Sequence, residues 1–286
     1  MVKKIIGQCY IWLIMIFMYL PVLVLIVFSF IDAPNIGQWG TGFTFDLFRR
    51  LFESEEIMIA LGNTVLIAVI SATVSTVIGT LGAIGAYYSK RRTRNAIDMA
   101  TQIPVVNAEI VVAFSLTVMF VFLGKIFKMM GGDSYIFSFW TLLIGHCCLS
   151  LPFVYISVKP KLQQMDPSLY EAALDLGASP TQALGKVIIP EILPGVFSGF
   201  LLSITLSLDD FIVTAFTRGS GLLSGSKSIE TLSTLVQAKI KKGPIPPELR
   251  ALTTILFILV VLAVVGITIY RARKEKKAAL GQRRGA

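Results

Sequence analysis

Glu-Ala-Ala-Leu-Asp-Leu-Gly occupies positions 171–177 of this chain, and Val-Ile-Ile-Pro follows at 187–190. Both stretches belong to a polar segment, 159–191, that separates two long apolar runs. Asp166-Pro167-Ser168 and Ser179-Pro180 each combine a side-chain oxygen with a proline, which is typical of a helix start. The first helix is predicted over Leu169–Leu176, where Gly177 is suited to end it, and the second is predicted to run to about Ile189. The polar segment therefore predicts two short helices joined by a tight turn.

The apolar runs around this segment place the chain among membrane proteins. Of its 286 residues, 55% are hydrophobic and 15% are charged, whereas soluble domains carry about a quarter charged residues. Six runs can each cross a hydrocarbon core, which needs roughly 20 helical residues. They are residues 9–31, 61–88, 103–124, 136–158, 192–216 and 251–270. Because lipid cannot satisfy free backbone groups, we predict an all-α, polytopic bundle of six transmembrane helices that forms a single domain over 1–286.

Lysine and arginine are distributed unequally between the two sides of this bundle. Sixteen of the 26 basic residues fall in the N-terminal residues, in 90–94, in the polar segment and in the tail after residue 270. The positive-inside rule places these regions, and hence both termini, in the cytoplasm. The net charge of +9 reflects this asymmetry, and no soluble module carries the basic residues, so nucleic-acid binding is not expected. The expected surroundings of the chain are a lipid bilayer.

With that topology, the polar segment resembles the EAA loop of the membrane subunits of bacterial ABC importers. The family pattern is E-A-A, three residues, G, nine residues and I-x-L-P. Glu171, Ala172, Ala173, Gly177 and 187–190 fit that spacing. The resemblance implies a type I importer permease-like bundle in a bacterial inner membrane, with a cytoplasmic coupling helix that docks into an ATP-binding subunit. In that docking the two small alanines permit close seating, and the glycine allows a sharp turn.

Other stretches resemble the permease subunits of spermidine/putrescine importers. They are residues 19–21 with 29–30, 103–110, 205–210 and 247–252. This resemblance implies a heterodimer with a homologous permease, a dimer of ATP-binding subunits and an external polyamine-binding protein. The sequence has no G-x-x-x-x-G-K-[ST] phosphate loop and no catalytic constellation. We therefore expect no enzymatic activity, cofactor or metal in this chain, and we expect ATP and magnesium in the partner ATPase.

Three acidic residues fall inside the predicted spans, namely Glu109, Asp209 and Asp210. A charged residue at mid-bilayer costs at least ~2.5 kcal/mol and usually faces a cavity or a partner. The predicted spans contain no lysine or arginine, so a cationic cargo would neutralise these acids. Ser207, Asp210 and Thr214 share one helix face, and that face is predicted to line the cargo path.

The position of these acids along their spans suggests a staged passage. Asp209 and Asp210 are expected toward the outer side, and Glu109 nearer the cytoplasm, so that a cation passes from one to the other. We expect Asp210→Asn to impair polyamine uptake while subunit assembly stays intact. The alternative is that either aspartate caps a broken helix or pairs with a partner subunit.

Two other functions remain open. The first is a permease subunit for a different solute, although oxyanions call for intramembrane basic residues and sugars do not explain the acids. The second is an ion-coupled secondary transporter in which Glu109 and Asp210 carry protons. That carrier predicts an internal repeat and activity without an ATPase, and it leaves the polar segment unexplained.

Two further features concern helix packing. His146 is the only histidine, and a buried helix-to-helix hydrogen bond suits it better than a proton relay. Ser71, Ser75, Gly79 and Ala83 recur every four residues along the second span. Such a small-residue stripe lets another helix approach closely, either within this chain or from a second membrane subunit.

Overall fold

The structure, a computed structural model, describes residues 2–33, 42–130, 137–219, 229–243, 246–262 and 265–266, with side chains from residue 7 onward. These residues are helical almost throughout. The helices are α1 Val2–Ser29, α2 Asp46–Glu53, α3 Glu55–Tyr88, α4 Arg91–Val106, α5 Glu109–Met129, α6 Phe139–Gln164, α7 Ser168–Asp175, α8 Pro180–Ala183, α9 Ile189–Asp209, α10 Ile212–Thr217 and α11 Leu232–Lys242. A π-helical turn, Leu184–Ile188, joins α8 to α9, and residues 248–262 form a further helix, α12.

Among the described residues, five helical segments are long and apolar enough to cross a membrane. They are Gly7–Ser29, Glu55–Tyr88, Glu109–Met129, Phe139–Gln164 and Pro180–Asp209. They correspond to the first five predicted spans. The sixth predicted span, 251–270, is helical at 251–262 and 265–266, and its other residues lie outside the described part of the chain. The prediction of an all-α polytopic bundle is confirmed.

The chain divides into two compact units, residues 1–58 with 236–286 and residues 59–235. In the first unit, the Arg50 guanidinium pairs with Asp46 at 2.6 Å and with Asp32 at 3.0 Å. Arg250 donates to the carbonyl of Ala33 at 2.9 Å in the same unit. The second unit holds the acids of the predicted spans and the polar segment. That the whole chain is one domain stays a prediction.

The small-residue stripe of α3 packs inside the second unit. A Cβ atom added to Gly79 would lie 2.9 Å from Cβ of Val154 on α6, so only glycine allows this approach. Near the other end of the stripe, the Ser71 hydroxyl donates to Ser207 Oγ on α9 at 3.2 Å. Of the two predicted partners, a helix of this chain and a second membrane subunit, the described residues of the stripe therefore contact helices of this chain.

Helices α6 and α9, which flank the polar segment, also pack closely together. An added Cβ at Gly199 would lie 3.1 Å from Cα of Val154, and one at Gly195 would lie 2.9 Å from the carbonyl oxygen of Ser157. The helix backbones approach each other at these two glycines, which are one turn apart on α9. This contact connects the polar segment to the interior of the second unit.

The third and fifth predicted spans are broken helices. The first break separates α4 from α5, where Asn107 and Ala108 adopt extended ψ angles of 147° and 134°. The second separates α9 from α10, where Asp210 has an extended ψ of 123°. The predicted spans 103–124 and 192–216 are therefore each interrupted, and the predicted alternative of a broken helix at the aspartates applies to the second of them. Hydropathy does not report such breaks because the residues on both sides remain apolar.

The polar segment folds as two helical pieces, as predicted, but the second does not stop. The predicted first helix is α7, and the Asp166 carboxylate accepts hydrogen bonds from the Ser168 amide at 2.9 Å and hydroxyl at 2.8 Å. Gly177 follows α7 with φ of +85°, a conformation that favours glycine. The second helix was expected to end near Ile189. It instead continues from Pro180 through the π-helical turn into α9.

Candidate translocation site and coupling loop

The two helix breaks bring the three intramembrane acids together. Glu109 begins α5, Asp209 ends α9, and Asp210 lies in the second break. The Glu109 carboxyl interacts with that of Asp210 and, at longer range, with that of Asp209. The expected separation of Glu109 from the aspartates is therefore wrong. The reason is the packing of α5 along α10, where the Thr117 hydroxyl donates to the carbonyl of Phe216 at 3.1 Å.

Asp210 serves as the cap of α10. Its Oδ1 accepts the Val213 amide hydrogen at 3.1 Å, and its Oδ2 accepts the amide and hydroxyl hydrogens of Thr214 at 2.7 and 2.8 Å. Only 4% of Asp210 is exposed. Both carboxylate oxygens are therefore occupied by groups of the chain itself. The predicted alternative, an aspartate that caps a broken helix, describes Asp210.

His146 joins this cap to two other helices. Its Nδ1 lies 2.7 Å from Ser207 Oγ on α9, and its Nε2 lies 2.9 Å from Thr214 Oγ1 and 3.5 Å from Asp210 Oδ2. Because the Thr214 hydroxyl donates to Asp210, a neutral imidazole satisfies every contact when Nε2 donates to Thr214 and Nδ1 accepts from Ser207. With the hydrogen bond from Ser71, one directed chain connects α3, α9, α6 and α10.

These contacts assign the predicted polar face of span five to the interior of the second unit. Ser207 and Thr214 are buried together with Asp210. That their shared face lines the cargo path stays a prediction. The predicted buried hydrogen bonds of His146 are also present. The sequence did not point to Asp210 as the neighbouring acid, because that acid lies on another helix and no acid lies one turn away along α6.

Asp209 differs from its neighbour in both exposure and electrostatics. It is exposed, and it is the last residue of α9, where the helix dipole is negative. Glu109 and Asp210, in contrast, lie at the positive N-terminal ends of α5 and α10. Within the described ranges, Asp209 and Glu109 form no ion pair with lysine or arginine. Asp209 is thus the acid that the surrounding helices compensate least.

An apolar crevice of about 280 Å³ opens beside the first break. Its walls come from the end of α4, the start of α5 and one residue of α6, and only two of its side chains, Asn107 and Ser115, carry oxygen or nitrogen atoms. The others are Ile103, Pro104, Val111, Val112, Leu116, Met119 and Cys148. An apolar surface therefore borders the break at which Glu109 begins α5.

The predicted coupling residues lie on and just after α7. Glu171, Ala172 and Gly177 are exposed, whereas Ala173 is 8% exposed and packs toward the chain itself. Leu176 is 89% exposed, so the exposed surface of this loop is partly apolar. The ring of the residue that precedes the motif, Tyr170, lies 5.3 Å from that of Tyr88 on α3. This contact between tilted rings holds α7 against the end of a long helix.

Sequence reasoning missed a second cluster of polar groups in the same unit. Asp98 of α4 contacts Tyr155 and Lys159 of α6. Asp98 lies in a polar stretch before the third predicted span, so it did not stand out as an intramembrane acid. A single acid among basic neighbours carries no sequence signal, and only the packing of α4 on α6 reveals it.

Broken helices, an acid cluster beside an apolar crevice and an exposed helical loop define a membrane transport subunit without a nucleotide-binding motif of its own. The chain belongs to the family of binding-protein-dependent transport system inner membrane components, whose profile matches residues 75–274. It is accordingly a multi-pass permease subunit of an ABC importer. This assignment confirms the resemblance seen in the polar segment and removes the ion-coupled carrier as an alternative.

Curated relatives are similar over nearly the whole chain. The spermidine/putrescine transport system permease protein PotC of Escherichia coli K12 is 34% identical over 260 residues, which cover 91% of each chain. The corresponding protein of Haemophilus influenzae is 33% identical over 88% of this chain and 91% of its own. The putrescine transport system permease protein PotI of Escherichia coli K12 is 30% identical over 91% of this chain and 89% of its own.

Solved structures share the fold at low sequence identity. A bacterial alginate ABC transporter in complex with its pentasaccharide-bound periplasmic protein aligns with a TM-score of 0.71 and 19% identity, over 96% of this chain and 94% of that chain. A second structure of a bacterial ABC transporter for alginate import gives a TM-score of 0.65 and 15% identity, over 94% and 95%. These alignments confirm the importer-permease fold.

Proposed function

We propose that this permease subunit forms half of the translocation path for spermidine or putrescine. The observation that carries the proposal is Asp209, an exposed carboxylate at the negative end of α9 that pairs with no lysine or arginine of the described chain. Such a position is unfavourable for an anion unless a cation binds there. The 30–34% identity to polyamine permeases supports the same cargo.

The surroundings of Asp209 fit the chemistry of a polyamine. Glu109 adds a second carboxylate, and the carbonyl ends of α4 and α9 meet the breaks. Unwound carbonyls and helix C-termini are groups that coordinate cations in other transporters. The apolar crevice beside Asn107 offers a surface for the methylene segments between the ammonium groups. Ser207, Asp210 and Thr214, which were predicted to line the path, would act by holding α10 in place.

The expected assembly contains a homologous permease as the other half of the path, a dimer of ATP-binding subunits and an external polyamine-binding protein. The exposed residues Glu171, Ala172 and Gly177 would meet the ATPase, while Ala173 seats α7 against the chain. ATP and magnesium would be bound in that partner, and this chain would remain non-catalytic. Both termini and the polar segment would face the cytoplasm.

The test of the cargo site is uptake of radiolabelled spermidine and putrescine by proteoliposomes that contain the complete transporter. We expect Asp209→Asn to lower uptake at least about tenfold, which corresponds to about 1.4 kcal/mol. Asp209→Lys should abolish uptake, because a tethered ammonium occupies the site. Assembly and basal ATP hydrolysis should stay intact in both variants.

A matched control is Asp175→Asn, which removes an exposed acid at the end of α7 and should leave cargo affinity unchanged. Normal uptake by Asp209→Lys would refute the role of Asp209. Uptake of an uncharged or anionic solute in place of polyamines, measured with the intact transporter, would refute the cargo.

A further inference from the structure

A carboxylate on α4 holds a lysine of α6 in a small site of its own. Asp98 Oδ1 accepts hydrogen bonds from the Tyr155 hydroxyl at 2.6 Å and from Lys159 Nζ at 2.7 Å. The same Nζ lies 5.9 Å from the centroid of the Tyr155 ring. Tyr155 is buried, and the side chains of Asp98 and Lys159 are 18% and 29% exposed. The contact is therefore accessible to small cations.

The Asp98 carboxyl remains ionised in this setting. Burial acts to raise its pKa, but the hydrogen bonds from Lys159 and Tyr155 and the charges of Lys159 and Arg94 outweigh burial and hold the pKa below its usual value. A carboxylate with an adjacent aromatic ring provides two groups that attract an alkylammonium, one by charge and hydrogen bonding and one by cation–π attraction.

The side chain of Lys159, which occupies this site, has the same chemistry as the end of a polyamine. A lysine side chain is an ammonium on a stem of four carbons. Putrescine consists of two ammonium groups joined by four methylenes, and spermidine contains the same aminobutyl unit. Lys159 thus presents to Asp98 and Tyr155 the group that each of these cargoes would present.

We propose that Asp98 and Tyr155 form a second cation site, which accepts the aminobutyl end of a polyamine in exchange for Lys159. The naming of a polyamine as the natural occupant rests on the proposed function, whereas the recognition of an aminobutyl group rests on the contacts of Lys159. In exchange, the cargo ammonium takes the hydrogen bond to Asp98, and the Lys159 ammonium moves to solvent.

The position of this site suits a cation that leaves the acid cluster. From Asp98, helix α4 continues for eight residues to the break before Glu109, a rise of about 12 Å. A tethered competitor at an effective concentration on the order of millimolar keeps cargo binding weak. Weak binding is what a release site needs, because a transported ion must be able to leave each site.

The test uses the full-length chain in its assembled transporter, solubilised in detergent, with n-butylamine as the probe. Lys159→Ala should lower the thermal unfolding midpoint, and about 10 mM n-butylamine should restore at least half of that loss, because it exceeds the millimolar effective concentration of the tethered lysine. The apparent affinity for n-butylamine should be at least about tenfold higher than in the natural chain. Lys159→Met, which keeps most of the stem, provides a second variant if the alanine form is poorly folded.

Three controls define the site. Asp98→Asn combined with Lys159→Ala should lose the recovery, and Lys161→Ala, two residues further along α6, should bind n-butylamine no more tightly than the natural chain does. Arg94→Ala should be tested together with Lys159→Ala, because Arg94 is the other cation that acts on Asp98. Equal recovery in the Asp98→Asn double variant, or equal recovery with sodium chloride, would overturn the proposal.

These outcomes separate the site from the proposed cargo. If n-butylamine rescues Lys159→Ala while the transporter takes up no polyamine, the site is upheld and the cargo assignment fails. If polyamine uptake depends on Asp209 while n-butylamine rescues none of the Lys159 variants, the cargo assignment is upheld and the site fails.

Discussion

The break between α9 and α10 and the predicted coupling helix α7 each place an acid at the start of a short helix, but the two acids have opposite surroundings. Asp210 is 4% exposed, and hydrogen bonds from the chain occupy both of its carboxylate oxygens. Glu171 lies in the first turn of α7 and is exposed. An acid in a motif can therefore organise the fold or remain available to a partner, and its burial decides which.

The largest expected difference between the two regions comes from removing these acids. Asp210→Ala leaves two amide hydrogens and the Thr214 hydroxyl without their acceptor, and each buried unpaired group costs about 1–3 kcal/mol. We expect a loss of several kcal/mol and a much lower thermal midpoint in detergent. Glu171→Ala should change stability by no more than about 0.5 kcal/mol, as is usual at exposed positions, and should reduce ATPase association.

Because Asp210 caps α10, we expect Asp210→Asn to affect folding as well as uptake. An amide accepts with one oxygen only, so this variant should also lose stability, and a defect in uptake would accompany a defect in folding. Co-purification of the ATPase with each variant measures the difference. Equal stability of the Asp210 and Glu171 variants would contradict the assignment of Asp210 as a helix cap.

A smaller effect on stability is expected from disturbing the close packing of α3 against α6. Gly79→Ala places a Cβ 2.9 Å from the Val154 side chain, and such overpacking typically costs about 1–3 kcal/mol. Gly82→Ala on the same helix is the matched control, because no atom lies within 4 Å of its added Cβ. Thermal midpoints of the two variants should differ clearly, and a harmless Gly79→Ala would show that α3 and α6 pack less closely.

In the predicted coupling loop, substitution of Gly177 should lower stability less than substitution of Gly79. Gly177→Ala meets no neighbouring atom, but its φ of +85° is strained for alanine by roughly 1–2 kcal/mol. Gly185→Ala, which also meets no atom and has no positive φ, is the control. We expect a modest loss of stability and a measurable loss of ATP-dependent uptake, since the turn positions α7. Unchanged uptake would mean that the turn tolerates another conformation.

The smallest effect concerns the pH dependence of the contact between α4 and α6. The folded-state pKa of Asp98 is lowered, although burial opposes this, because Lys159 and Tyr155 stabilise the carboxylate. Its contribution to stability is therefore present above the unfolded pKa of about 3.9 and is lost as pH falls through the lower folded value. Thermal midpoints between neutral and acidic pH should fall more steeply for the natural chain than for Asp98→Asn. Parallel curves would contradict the ion pair.

The coupling loop was predictable because its signal is local. The caps at Asp166 and Ser179, the turn at Gly177 and the spacing of Glu171 to Pro190 are all set by neighbours within a few residues. The start of α7 therefore agrees with the structure to within one residue. The end of the second helix was not predictable, since Pro190 and Pro194 are tolerated within α9 once the π-helical turn has joined it to α8.

By itself, the sequence determined the membrane class, the approximate spans and the loop that marks an importer permease, because hydropathy and motif spacing are properties of short windows. The tertiary structure alone decided which acids meet. Breaks at Asn107 and Asp210 bring Glu109 beside the aspartates, and packing of α4 on α6 joins Asp98 to Lys159. The physical reason is that the environment of a charge depends on helices distant in sequence, whose amides and side chains either satisfy it or leave it for a cargo.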